Sequence, residues 1–101
     1  MHTLESPISA FVARQKVNVL VAEQVSNLLL ADEPTLLQTS SKEWVWRVPV
    51  DLTFPSRGRV GRVGEVDVDA RYGEVRYTDA VLTRMADEAQ RLAQQVLSPA
   101  T

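Results

Sequence analysis

Trp44-Val45-Trp46-Arg47-Val48-Pro49-Val50-Asp51-Leu52-Thr53-Phe54 decides the fold of this chain of 101 residues. Trp44, Trp46, Val48, Val50, Leu52 and Phe54 alternate with Val45, Arg47, Pro49, Asp51 and Thr53. One face is wholly apolar over six successive positions. A period of two sustained that long describes a strand with one buried face, because successive side chains of a strand point to opposite sides. Pro49 carries no N–H for a ladder, so this strand is expected at a sheet edge or with a bulge at Pro49.

Downstream, Pro55-Ser56-Arg57-Gly58 is turn chemistry. Gly58-Arg59-Val60, Gly61-Arg62-Val63 and Gly64-Glu65-Val66 then repeat with a period of three. That period fits neither helix nor strand, and it reads as the glycine-punctuated, bulged start of a second strand. Alternation resumes with Val66, Val68 and Ala70 against Glu65, Asp67 and Asp69. A four-residue loop, Ala70 to Gly73, places Asp69 opposite Glu74, Val68 opposite Val75, Asp67 opposite Arg76 and Val66 opposite Tyr77. All apolar residues then share one face. A three-residue loop mixes the faces, so the four-residue register is predicted, with Gly73 supplying a positive φ. Thr78 or Asp79 caps a helix from Asp79 to Leu97, with Leu82, Met85, Ala89, Leu92 and Val96 as its apolar stripe and Ser98-Pro99 as its stop.

Upstream, Val17, Val21, Val25 and Leu28 recur at helical spacing, which predicts a helix from Pro7 to Leu30 capped by Ser6. Ala31-Asp32-Glu33-Pro34 ends it, because proline cannot extend a helix and disfavours helix before it. Residues 35 to 42 read as a polar loop anchored by Leu36 and Leu37. The expected fold class is therefore α+β, in the order α-β-β-β-α. It is a three-stranded antiparallel sheet with two helices packed on one face. Residues 1–101 form a single domain, with 1–6 and 98–101 expected to fray.

Composition narrows the function. Hydrophobic residues at 45% and charged residues at 24% are ordinary for a globular chain. A net charge of −2 argues against a general polyanion binder. The chain has no cysteine, which removes disulfides, thiolate metal sites and a cysteine nucleophile. No apolar run approaches the ~20 residues of a membrane span, and the N-terminus lacks the basic-then-apolar order of a secretory signal. A cytoplasmic protein is expected.

At Trp46-Arg47-Val48-Pro49-Val50, Val63-Gly64-Glu65-Val66-Asp67-Val68-Asp69-Ala70 and Gly73-Glu74-Val75, the chain resembles a set of small bacterial α+β proteins. They share W-x-V-P-V, G-x-V-G, V-D-A and G-E-V ahead of a C-terminal helix. No enzymatic activity attaches to that set. The hairpin from Val68 to Val75 is similar to one in PepSY-type domains, which are linked to peptidase regulation and partner binding. The first resemblance covers roughly Trp44 to the last helix, the second only the hairpin. Neither carries over a catalytic residue.

Candidate chemistry is sparse. Glu65, Asp67 and Asp69 form an acidic row, but alternate strand residues sit about 7 Å apart, so three of them cannot share one cation. They read as a solvated face paired with Arg76 and Arg47. Arg57, Arg59 and Arg62 form a basic cluster whose glycines allow close backbone approach, a candidate anion contact, although no aromatic residue is interleaved for stacking. His2 is the only histidine, and Ser40, Ser41 and Ser56 have no evident base, so no hydrolase triad is supported. No cofactor and no metal site is expected. Trp44 and Trp46 stand near the start of the first strand and read first as core; the alternative is an interface, if two helices do not cover six large apolar positions out to the strand end. With Leu82, Met85 and Leu92 they form the candidate partner interface.

These readings predict a non-catalytic interaction module, homodimeric through an edge strand or the second helix, with an antitoxin-like or peptidase-modulating role in keeping. The alternative is an anion or nucleic-acid binder acting through Arg57, Arg59 and Arg62.

Overall fold

A computed structural model describes residues 7–97. The chain folds as α1 (Ala10–Gln24), β1 (Leu29–Ala31), β2 (Thr35–Gln38), β3 (Trp44–Phe54), β4 (Gly58–Asp69), β5 (Val75–Arg76) and α2 (Asp79–Leu97). The class is α+β, with two helices and an antiparallel sheet of five strands where three were expected. β1 and β2 lie end to end along one side of β3, and β4 then β5 follow on the other. The expected frayed ends, His2 and the Ser6 cap lie outside the described residues.

Both extra strands come from a shorter first helix. Ser9, not Ser6, caps α1, its hydroxyl accepting from Val12 N–H at 3.1 Å. Ala13, Val17 and Val21 form its buried stripe. The helix stops at Gln24, where Ser26 N–H returns to Val21 O at 2.8 Å and Ser26 Oγ takes the N–H of Leu28 at 3.1 Å. Leu29 and Ala31 then turn inward and Leu30 outward against Leu52, Val50 and Asp51 of β3. The helical spacing of Val25 and Leu28 runs on past the true end, because a buried edge strand and a helix draw on the same apolar residues. Residues 35–38, expected as loop, pair with Arg47, Trp46, Val45 and Trp44.

Pro49 is the second correction, since β3 is central and not an edge. Its carbonyl takes the N–H of Asp32 at 2.8 Å, so its missing N–H faces the same side. There the neighbouring strand is broken by Asp32-Glu33-Pro34 between β1 and β2. The interruption removes the acceptor that a normal residue at Pro49 would have used.

The period-three repeat resolves into two bulges. Val50 pairs with Gly64, Asp51 with Arg62, Leu52 with Gly61, Thr53 with Arg59 and Phe54 with Gly58, with register shifts between Val50 and Asp51 and between Leu52 and Thr53. Three residues of β4 thus match two of β3, as the bulged reading anticipated. Gly61 and Gly64 face α2. A Cβ at Gly64 would stand 3.1 Å from Met85 Cε, and one at Gly61 would stand 3.1 Å from Leu92 Cδ1. Their lack of side chains lets α2 lie directly on β4. The arginines go to the opposite face.

Both helices pack on one face of the sheet. Ala13, Val17 and Val21 of α1 join Met85 of α2 over Val48, Val50, Leu52, Val63, Val66 and Val68. Each fully buried valine of this set contributes about 1.5–3 kcal/mol before the entropy cost of ordering it. Thr78 caps α2, its hydroxyl accepting from Val81 N–H at 3.2 Å. The predicted hairpin register holds: Asp67 pairs with Arg76 and Val68 with Val75, and Asp69 N–H donates to Glu74 O at 2.8 Å. Gly73 has φ +78°. β5 ends at Arg76, so the ladder stops short of Val66 and Tyr77.

Candidate functional site

The face of the sheet away from the helices carries three groups of ion pairs. Arg76 reaches Asp69 at 2.8 Å and Glu43 at 2.9 Å, a bridge that crosses the column of the buried Val45. Arg47 grips Asp67 through two bonds of 2.9 Å and approaches Glu65 at 3.9 Å. At the far end Asp51 meets both Arg59 and Arg62, the latter at 3.0 Å. Asp32 joins this end at 3.5 Å from Arg59 and 3.4 Å from Arg62. The acidic row 65, 67 and 69 is thus paired with Arg47 and Arg76, as its alternation implied. Among the described residues no group of three metal-ligating side chains comes together.

Three carboxylates titrate below their ordinary range, Glu88 among them through the Arg91 guanidinium that donates to it. Asp69 is held down first by the backbone N–H groups of Tyr72 and Arg71, then by Arg76. Its Oδ1 accepts both N–H groups, from Arg71 at 2.7 Å and from Tyr72 at 2.9 Å, which closes the turn into β5. Asp32 is held down first by the N–H of Glu33, then by Arg59, Arg62 and Arg14.

Of the candidate anion cluster the structure brings Arg59 and Arg62 together, each on carboxylates, and leaves Arg57 apart. Arg59 and Arg62 turn to Asp51, which is 4% exposed, and to Asp32. Arg57 lies apart in the exposed turn before Gly58, which its N–H closes on Phe54 O at 3.0 Å. The bulges cause this. They place every arginine of the Gly-Arg-Val repeat on the face of Asp51, where a regular strand would send alternate ones to the core. The partner was legible as Asp51 on the polar face of β3.

The candidate interface residues divide. Leu82 and Met85 are buried in the chain's own core, and Leu92 is half-buried against Gly61, so α2 spends its stripe on β4. Trp46 is half-buried, and its indole Nε1–H donates to Ile8 O at 2.7 Å, pinning the approach to α1. Trp44 remains 53% exposed. The helices do leave the start of β3 uncovered.

Phe11, which sequence reasoning did not single out, and Leu36, expected only as a loop anchor, are exposed apolar residues as well. Leu36 pairs with Trp46 in β2, which puts it on the helix-bearing face, and it is 37% exposed. Phe11, 66% exposed, lies one turn before Arg14, whose guanidinium leans over the β1 edge to Ala31 O at 3.1 Å. The start of α1 is held over the other side of the sheet, with Ile8 N–H on Ala70 O at 3.1 Å. β2 is therefore left without a helix above it.

No protein-family model, curated protein or solved structure matches the chain. The two resemblances above stand on their motifs alone. No helix among the described residues is long and apolar enough to cross a membrane.

Proposed function

We propose that the chain is a small cytoplasmic, non-catalytic interaction module that associates with a second copy of itself. The observation that carries this reading is that Leu36 and Trp44 stand exposed on the helix-bearing face at the unpaired edge of β2. Apolar patches rimmed by polar residues mark interfaces, and tryptophan is enriched where partners bind most strongly. The charged face supports the reading from the other side, because Arg47, Arg59, Arg62 and Arg76 are already occupied by carboxylates. An antitoxin-like or peptidase-modulating role falls within this class.

Light scattering at about 0.1 and about 0.5 M salt tests it. A mass twice the 11.3 kDa of the chain at both salts is expected, since an apolar contact is little screened. A mass of one chain at both salts overturns self-association. Binding to nucleic acid that falls steeply with salt, and is lost with Arg57, Arg59 and Arg62 changed to alanine, would favour the anion-binding alternative.

A further inference from the structure

We propose that two copies join through the outer edge of β2, antiparallel, across a two-fold axis at Leu36. The inference rests on the self-association proposed above and adds where it occurs. It follows from which sheet edges the fold leaves open. The edge of β1 is closed by α1, with Ala31 N–H on Asn18 Oδ1 at 2.7 Å and Ala31 O on Arg14 Nε at 3.1 Å. β5 is two residues long. The rest of β4 lies under α2, whose side chains fill the places of Cβ atoms at Gly61 and Gly64. Pairing β4 with its own copy would bring the two α2 helices to about the 4.8 Å strand spacing, where helices need about 8–10 Å. Among the described residues, 58–66 of β4 also have no strand on their outer side, so β2 is the longer edge that a second copy can meet without that helix clash.

The directions of its backbone groups fit. Thr53 N–H reaches Leu28 O, and Pro49 O takes Asp32 N–H, so odd residues of β3 point toward β1 and β2. Thr35 and Leu37 pair with Arg47 and Val45 and so bond inward. Leu36 and Gln38 therefore turn their N–H and C=O groups outward. With Leu36 on the axis, each Leu36 exchanges both bonds with its copy. Thr35 then meets Leu37 on the open face, and no side chain changes face. The edge Thr35-Leu36-Leu37-Gln38 carries no charge. A charge at a two-fold axis would meet its own like. Leu36 and Trp44 of each copy lie at the joint on the helix-bearing face.

Single cysteines in this cysteine-free chain test the geometry. Residues exchanging both bonds sit about 5.5 Å apart at Cα, inside the range a disulfide spans. Under mild oxidation Leu36→Cys is expected to form a covalent dimer about tenfold faster than Leu37→Cys or the α2 control Thr83→Cys. Leu36→Lys is expected to give the mass of one chain with native circular dichroism. A dimeric mass together with no preference for position 36, or with Leu36→Lys still dimeric, overturns this interface and leaves self-association standing. A monomeric mass for the unaltered chain overturns both.

Discussion

Gly58 and Gly73 form a matched pair for a stability measurement. Their φ angles are +76° and +78°, so alanine meets nearly the same backbone cost at each. That cost is about 1–2 kcal/mol for a Cβ in the left-handed region, offset by about 0.4–1 kcal/mol from the stiffer unfolded chain. Nothing lies within 4 Å of a Cβ at Gly58, so Gly58→Ala is expected to cost about 1 kcal/mol. At Gly73 a Cβ would stand 3.0 Å from Ile8 Cδ1 and 3.3 Å from Lys16 Cε. Lys16 can swing away. Ile8 has less freedom, because its backbone is held, N–H by Ala70 and carbonyl by Trp46, so only a side-chain rotation can carry its δ-methyl away. Overpacking adds at least about 1 kcal/mol, giving about 2–3 kcal/mol for Gly73→Ala. At roughly 4–8 °C per kcal/mol, Gly58→Ala should lower Tm by about 5 °C and Gly73→Ala by about 10–15 °C. Circular dichroism melts at one protein concentration read both, since self-association makes Tm concentration-dependent. Equal losses at the two positions would refute the role given to Ile8. Two neutral variants would refute the backbone argument.

Three further outcomes are expected. Asp51→Asn leaves Arg59 and Arg62 without their shared carboxylate and should cost about 1–3 kcal/mol by urea unfolding; an unchanged midpoint would count against the cluster as a structural clasp. Asp69 and Asp32 titrate below the ordinary aspartate value of about 3.9, so their contribution is full above that value and is lost as pH falls through the folded values. Asp69→Asn should accordingly flatten the acid limb of stability against pH, and an unaltered limb would refute the assignment. Trp44→Ala should weaken self-association with monomer stability within about 0.5 kcal/mol, whereas Trp46→Ala should lower stability by about 2–3 kcal/mol, and light scattering with urea unfolding separates the two.

Legibility followed the strength of the local pattern. Trp44–Phe54 was readable to its ends and the second helix from its start at Asp79, because a six-position alternation and a five-residue helical stripe each admit one period, while the Ser98-Pro99 stop lies outside the described residues. The hairpin register was readable because slipping Val68 from Val75 would have exposed the whole apolar set. β1 and β2 were not. Leu28 and Leu29 continue the helical spacing of α1, and Thr35–Gln38 is exposed or half-exposed throughout, so it shows no apolar face to detect. What makes those residues strands is the demand of β3 for backbone partners, a tertiary effect. Pro49 misled for the same reason, since the gap that accommodates it lies in a strand the sequence did not reveal. The fate of Arg59 and Arg62 depended on two bulges whose period was visible but whose facing was not.

The amide of Leu36 tests the central claim most directly. Its N–H points out of the sheet edge, so in a lone chain it meets water and exchanges quickly. In the paired chain it donates across the axis. Hydrogen exchange followed by NMR at high and low protein concentration should find Leu36 N–H protected when concentrated and unprotected on dilution, with the core amide of Val50 protected in both. A dimeric mass with Leu36 N–H exchanging freely at every concentration would contradict the account.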